Sequence, residues 1–262
     1  MLLYQSPRQE DGKIVRGSRW LTAPEIDLLA IRGARVKEMM QVTDFRNGHA
    51  PFPETLVISS ERSGLNLVRH ACEVMSGRRT PGKVHLVKDG PLLFHRTHYA
   101  GHAGPPVGPF APLFEPGGTC NYTKALLLLR DPAETFVRAY DKKPDLMKRY
   151  CRNIRLFDSF TGEKRVITYD ELVTGDDALQ KIFDFLGIAN CFDASKLATA
   201  RQDAVAWYDK NQPSGSQTRG DPSLLKAHQS TLTPQERVLL RDFLRQELGS
   251  LAPRYLAAWE SF

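Results

Sequence analysis

The segment KALLLL, Lys124 to Leu129, which runs into Arg130, constrains the fold more than any other stretch of the chain. Ala125 to Leu129 are uninterrupted apolar residues, so the run has no polar face to turn toward water. It is far too short to cross a membrane as a helix. It suits a strand covered on both sides, which is the environment of a parallel sheet. Asp131-Pro132 follows at once, with Asp placed to cap a helix and Pro in its first turn. The same order occurs earlier. Thr55 to Ser59, TLVIS, is a short apolar and β-branched run, and Ser59 to Asn66 is a tight polar loop with one glycine. Ser63 to Met75 then places Leu67, Ala71, Val74 and Met75 at helical spacing.

Further elements extend the alternation. Pro91 to His95 and Arg165 to Tyr169 are predicted strands. Predicted helices run from Asp131 through Tyr140, Pro144 to Phe157, Asp176 to Leu186 (closed by Gly187), Ala194 to Tyr208, and Pro234 to Leu248. A short helix is expected at Ala23 to Ile31. Gly101 to Gly118 is rich in Gly and Pro and reads as a long surface loop, of a kind that often serves as a lid or binding loop. Gln212 to Ser223 is polar and flexible in composition. Strands alternating with helices imply an α/β protein with a central parallel β-sheet flanked by α-helices. At 262 residues the chain suits one domain, with 51–262 as its core and 1–50 as a substrate-side extension.

The start, MLLYQSPRQEDGK, turns polar after four residues and has no apolar signal core. No window has the apolar length of a membrane span, so no membrane insertion is expected and the expected location is cytoplasmic. Cys72, Cys120, Cys151 and Cys191 lie far apart with no CxxC pair, which suits reduced thiols rather than a zinc site. His95, His98 and His102 have ligand-like intervals, but no carboxylate cluster accompanies them, and no metal is expected. The net charge of +6 suits a polyanionic partner without choosing one. The basic residues are scattered among 30 acids, which argues against a nucleic-acid interface.

The first loop is where the chemistry concentrates. A helix start offers unpaired N–H groups and the positive end of its dipole to an anion. Gly64 permits close backbone approach, Ser63 and Asn66 add donors, and Arg62 adds a fixed charge with fork geometry. The loop lacks the GxxxxGK[ST] signature of ordinary nucleotide hydrolases and kinases.

SERSGLNL resembles the phosphosulfate-binding loop of the sulfotransferase family, whose common form is PKSGTTWL. Arg62 stands where the family often has lysine, Ser63 and Gly64 match, and Leu65 and Asn66 occupy the two threonine-like positions. Leu67 follows as the next residue of the loop-to-helix junction. Arg96-Thr97-His98 resembles the family's lysine–threonine–histidine triplet. Leu129-Arg130-Asp131-Pro132 is similar to the RxP segment that binds a 3′-phosphate, with Arg138 at the position of the usual serine. Tyr169-Asp170-Glu171-Leu172 and the later FLGI resemble YEDL…FLG. Thr218-Arg219-Gly220 is similar to the RKG motif, and GDPSLLKAH with LTPQE echoes the family's GDWKNHFT ending without its tryptophan.

These matches run in order from residue 55 to about 240, and residues 1–50 match nothing. They imply an α/β sulfotransferase with a P-loop-like strand–loop–helix, using 3′-phosphoadenosine 5′-phosphosulfate (PAPS) and releasing 3′-phosphoadenosine 5′-phosphate (PAP). By the same resemblance His98 is the general base, and Arg62 and Arg96 stabilise charge. Arg62, Ser63, Gly64, Leu65, Asn66, Leu67, Arg130, Arg138, Tyr169, Arg219 and Gly220 hold the nucleotide. The acceptor is expected to be a small-molecule metabolite alcohol or amine, and a homodimer is left open. Two other classes stay in view: a P-loop kinase or NTP hydrolase, and a non-catalytic nucleotide- or nucleic-acid-binding protein.

Overall fold

The apolar run forms the strand that its composition requires. The computed structural model describes residues 8–10, 13–15, 53–82, 86–98, 122–175, 177–200, 202–203, 210 and 231–259. In chain order the first elements are β1 (Arg8–Glu10) and β2 (Lys13–Val15), which pair antiparallel. Next come β3 (Thr55–Ser59), α1 (Leu65–Ser76), β4 (His95–Thr97), β5 (Lys124–Leu129) and α2 (Pro132–Arg138). They are followed by α3 (Pro144–Ser159), β6 (Glu163–Thr168), α4 (Tyr169–Thr174) and α5 (Asp177–Phe185). The last helices are α6 (Pro234–Leu248) and α7 (Leu251–Leu256). Expectations for Ala23–Ile31, the 101–118 loop with His102, Cys120, the 212–223 segment, Thr218, Arg219 and Gly220 fall outside the described residues.

The central sheet has the order β4-β3-β5-β6, and every neighbouring pair is parallel. Side chains alternate across it with period two. Leu56 and Ile58 of β3 and Ala125, Leu127 and Leu129 of β5 face one side. There they pack with Phe136 of α2, Tyr150 and Ile154 of α3, Leu244 of α6 and Leu256 of α7. Val57, Leu126 and Leu128 face the other side, against Val68 and Ala71 of α1, Leu172 of α4 and Leu179 and Phe183 of α5. Helices therefore cover both faces, which is why β5 is apolar at every position from Ala125 to Leu129.

Boundaries shift where local chemistry outweighs pattern. The ladder at residues 91–97 covers His95–Thr97 rather than Pro91–His95. Pro91 has no N–H to give a ladder, and Leu92 makes only a bridge to Arg79 while Leu93 and Phe94 are buried as core. Tyr169 ends no strand; it opens α4, because Thr168 and Glu171 form a capping box. Asp193 caps a short 3₁₀ turn, Ala194–Lys196, before helix resumes at 197–200. The helix α7, absent from the predicted elements, carries Pro253 in its first turn, where proline is tolerated.

Asp131 caps α2 as expected, accepting from Ala133 N at 2.7 Å with Pro132 in the first turn. The thiols of Cys72 and Cys151 are buried and Cys191 is half-buried, and none of the three is bridged. Among the described residues, no helix is long and apolar enough to cross a membrane.

Candidate active site

The direction of the strands decides where a site can form. The connection after β3 leads to β4 on one side, and the connection after β5 leads to β6 on the other. The crevice beyond the carboxyl ends of β3 and β5 is thus the switch point of the sheet, the place where open parallel sheets bind ligands. Residues 60–64, His98, Arg130 and Tyr169 directly follow the four strands and share this edge.

Loop 60–64 is tightly wound. Arg62 has a left-handed φ of 68°, rare for a residue with a side chain, and Gly64 has φ 89°. Ser63 Oγ donates to the Ser60 carbonyl at 2.6 Å and Ser63 N to the same oxygen at 3.3 Å. A Cβ on Gly64 would stand 2.8 Å from Leu172 Cδ1 and 3.0 Å from Tyr169 Cδ2, so a side chain there must push these buried groups of α4 aside. The Gly64 carbonyl accepts from Val68 N and starts α1. The N–H groups of Leu65, Asn66 and Leu67 are the ones a helix start leaves without intrahelical acceptors. The side chains of Leu65 and Leu67 lie in the core, so these two residues meet an anion only through the backbone.

Asn66 is half-buried and held from below. Its Oδ1 accepts from Arg69 Nη1 at 3.4 Å, which leaves its NH₂ as the half available to an anion. Arg69 Nε donates to Thr80 Oγ1 at 3.1 Å, and that hydroxyl donates to Glu73. The same carboxylate also accepts from the backbone N–H groups of Leu86 and Val87. This buried set ties the segment between α1 and β4 to the loop helix.

His98 is fixed at both ring nitrogens. Its Nδ1 lies 2.9 Å from the Ser59 carbonyl and 3.0 Å from Ser59 Oγ, and Arg96 Nη1 lies 3.2 Å from its Nε2. A carbonyl only accepts and a guanidinium only donates, so Nδ1 carries the proton and Nε2 the lone pair. From α3, the fully buried Asn153 donates through Nδ2 to the His98 carbonyl at 2.9 Å. His95 points elsewhere, to the Tyr122 hydroxyl at 2.7 Å, and burial lowers its pKa to about 3. The expected histidine series is therefore divided: His95 belongs to the core and His98 to the sheet edge.

Arg130, Glu134 and Arg138 recur every four residues from the end of β5 into α2. Arg130 is only 2% exposed. Its Nη1 donates to the Arg62 carbonyl at 3.0 Å, its Nη2 stands 3.6 Å from Glu134 Oε2, and its guanidinium lies 4.2 Å from the centre of the Tyr169 ring. Tyr150 donates to the Arg130 carbonyl at 2.9 Å. Burial, then the like charge of Arg138, lowers the pKa of Arg62, while Glu61 opposes them. The pKa of Arg130 is lowered too, by burial first and with Arg138 again contributing. Burial raises the pKa of the Tyr169 hydroxyl, against the pull of Arg130 and Arg138. Arg138 is half-buried, so it is more open to solvent than Arg130.

Sequence reasoning did not single out Ser59, Glu61, Arg69, Glu134, Tyr140 or Asn153. Tyr140 donates to Glu61 Oε2 at 2.7 Å across 79 residues, and no local pattern announces such a pair. Asn153 did carry a signal: it lies three residues from Tyr150, on the apolar stripe of α3, where a polar residue must have a buried partner. Of the residues expected at the site, Arg62, Ser63, Gly64, Leu65, Asn66, Leu67, Arg96, His98, Arg130, Arg138 and Tyr169 are described, and Arg219 and Gly220 are not. No family model and no curated protein matches the chain. Among solved structures, the chain is similar to the sulfotransferase domain from the Synechococcus PCC 7002 olefin synthase, at 17% identity and a TM-score of 0.46, over 75% of this chain and 95% of that one.

Proposed function

We propose that the protein is a PAPS-dependent sulfotransferase acting on a hydroxyl or amine of a small-molecule acceptor. The observation that carries this reading is the bond from His98 Nδ1 to the carbonyl of Ser59, the last residue before the anion loop. It sets a neutral imidazole, with its lone pair on Nε2, beside a helix start suited to an anion. A binding loop alone has no need of such a base.

The residues fit a multiply charged anion. Arg62, Arg130 and Arg138 are close enough for like-charge repulsion to lower the proton affinity of the first two. A bound polyanion would relieve that repulsion. The loop also holds a buried hydroxyl, Ser60 Oγ, with no hydrogen-bond partner among the described residues. Bound PAPS supplies the sulfuryl group and a phosphate leaving group, so the chain itself needs only to position, stabilise charge and take a proton.

Each task has a residue. The N–H groups of Leu65 to Leu67 and the NH₂ of Asn66 donate toward the charged end of the donor. Arg62 adds positive charge but no proton, since a guanidinium stays charged. Arg138 reaches outward to the nucleotide phosphate, while Arg130 stays inside and fixes Arg62 and Tyr169. Arg96 releases Nε2 of His98 and turns to the developing charge, and Nε2 accepts the proton of the acceptor.

The test is thermal stabilisation of the full chain by PAP, by ATP with Mg²⁺ and by a single-stranded oligonucleotide, each compared with buffer. Stabilisation by PAP alone is expected, at about 2.7 kcal/mol when the ligand is 100-fold above its Kd. Stabilisation by ATP with Mg²⁺ alone, or by the oligonucleotide alone, refutes the reading. An acceptor screen that follows PAP release then identifies the substrate.

A further inference from the structure

A cavity lies away from the strand ends, in the corner between α6 and α7. Gly249 ends α6 with φ 55°, its N–H donating to the Arg245 carbonyl at 2.8 Å, and α7 begins at Leu251. The corner is an open hollow of about 350 Å³. The half-buried Arg241 and the exposed Arg245 line it, with the exposed Pro253 and the buried Leu244, Ala252 and Leu256 as its apolar floor.

The two arginines stand one helical turn apart on one side of α6, where like charges repel. Other basic residues around these helices have partners. Arg155 pairs with Glu247 at 3.1 Å, Arg254 with Asp158 at 2.7 Å, and Lys142 with Glu236 at 2.9 Å. Neither Arg241 nor Arg245 has an ion pair among the described residues, and the buried Nε of Arg241 has no acceptor among them. Buried donors in folded proteins have partners. A cavity that brings together an orphaned guanidinium donor, a second guanidinium and an apolar floor is therefore shaped for a ligand that supplies what is missing.

We infer that this corner binds a small amphiphilic anion: a carboxylate or sulfate head on a hydrocarbon body. The forked guanidinium groups match the paired oxygens of either head group. Pro253, exposed above the buried Leu244, Ala252 and Leu256, meets the hydrocarbon. The floor offers no polar side chain to recognise a sugar or a base, which sets the corner apart from the nucleotide edge.

The experiment titrates the full chain, labelled with ¹⁵N, with hexanoate, hexyl sulfate, hexan-1-ol, hexylammonium and inorganic sulfate. The two amphiphilic anions are expected to saturate, with the largest amide shifts at 241–256. The alcohol, the amine and inorganic sulfate each bind at least about tenfold more weakly, the loss of 1.4 kcal/mol or more that a missing head or body implies. Saturating PAP leaves these affinities unchanged. Replacing both arginines (Arg241→Gln with Arg245→Gln) lowers affinity for the anions by about tenfold or more with no change in Tm. Equal binding of alcohol and anion, shifts centred elsewhere, displacement by PAP, or no saturation overturns the inference. The shift map uses the unaltered chain and decides the matter even if the variant fails to fold.

Discussion

His98 Nδ1 donates to the carbonyl oxygen of Ser59 at 2.9 Å, joining residues 39 positions apart across the ends of β4 and β3. The bond fixes the tautomer, and Asn153 anchors the His98 backbone from the α3 side. Under the proposed chemistry, His98→Ala removes the base while leaving the anion loop untouched. Turnover falls by about 10²- to 10⁴-fold, the usual contribution of a general base, while PAP binding measured by calorimetry stays within about twofold, or about 0.4 kcal/mol. Asn153→Leu lowers kcat more than it changes PAP affinity, because it loosens the base and not the loop. Wild-type turnover in His98→Ala refutes the assignment.

Gly64 tests the loop by sterics. Its φ of 89° disfavours any side chain, and α4 blocks the space where a Cβ would go. Gly77, at the other end of α1, has φ 63° with nothing within 4 Å of where a Cβ would stand, so it isolates the backbone contribution. Gly77→Ala is expected to cost about 1 kcal/mol. Gly64→Ala costs more, up to about 3 kcal/mol when the strain of the loop is included. Chemical denaturation of both variants checks the order, and equal losses would show that Leu172 and Tyr169 do not confine the loop.

The sheet was more legible than the site, for a physical reason. Burial on both faces erases polar residues from a strand, so Lys124–Leu129 and Thr55–Ser59 were read with their observed bounds. The first loop was legible because glycine and a helix start have local causes. Leu92 to Phe94 misled because apolar sequence reports burial, not ladder hydrogen bonds. The capping box Thr168–Glu171 was present in the sequence and marks where β6 gives way to α4. The Tyr140–Glu61 pair and the Arg130–Arg62 bond were invisible, since both depend on packing between distant segments. The four-residue spacing of Arg130, Glu134 and Arg138 was visible, but only the fold shows that its first member points inward.

Arg130 and Glu134 form a buried pair, 2% and 0% exposed, with Nη2 and Oε2 3.6 Å apart. Removing one partner strands the other charge in the interior. Arg130→Met is therefore expected to destabilise the fold by about 3–5 kcal/mol. Adding Glu134→Gln to it removes the stranded carboxylate and restores part of the loss, with a coupling of about 0.5–3 kcal/mol in a double-mutant cycle. Additive losses measured by denaturant unfolding would show that the pair contributes nothing beyond its separate packing.

His95 gives the fold a defined weakness toward acid. Burial lowers its pKa to about 3, and its Nδ1 meets the Tyr122 hydroxyl in the core. The unfolded chain protonates this histidine near its ordinary value of about 6.5. A group whose folded pKa lies below its unfolded pKa leaves stability undiminished above the unfolded value. As pH falls from about 6.5 toward 3, the unfolded state binds a proton that the folded state refuses, and stability drops by up to about 1.4 kcal/mol per pH unit from this residue. His70, whose pKa is also lowered chiefly by burial, adds in the same direction. His95→Gln removes the larger of these contributions. The variant is less stable than the parent at pH 7.5, through lost packing around Tyr122, but its stability falls less steeply between pH 6 and about 4.5. Urea unfolding of both proteins at several pH values measures the difference in slope, and parallel curves would mean that His95 does not resist protonation in the folded state.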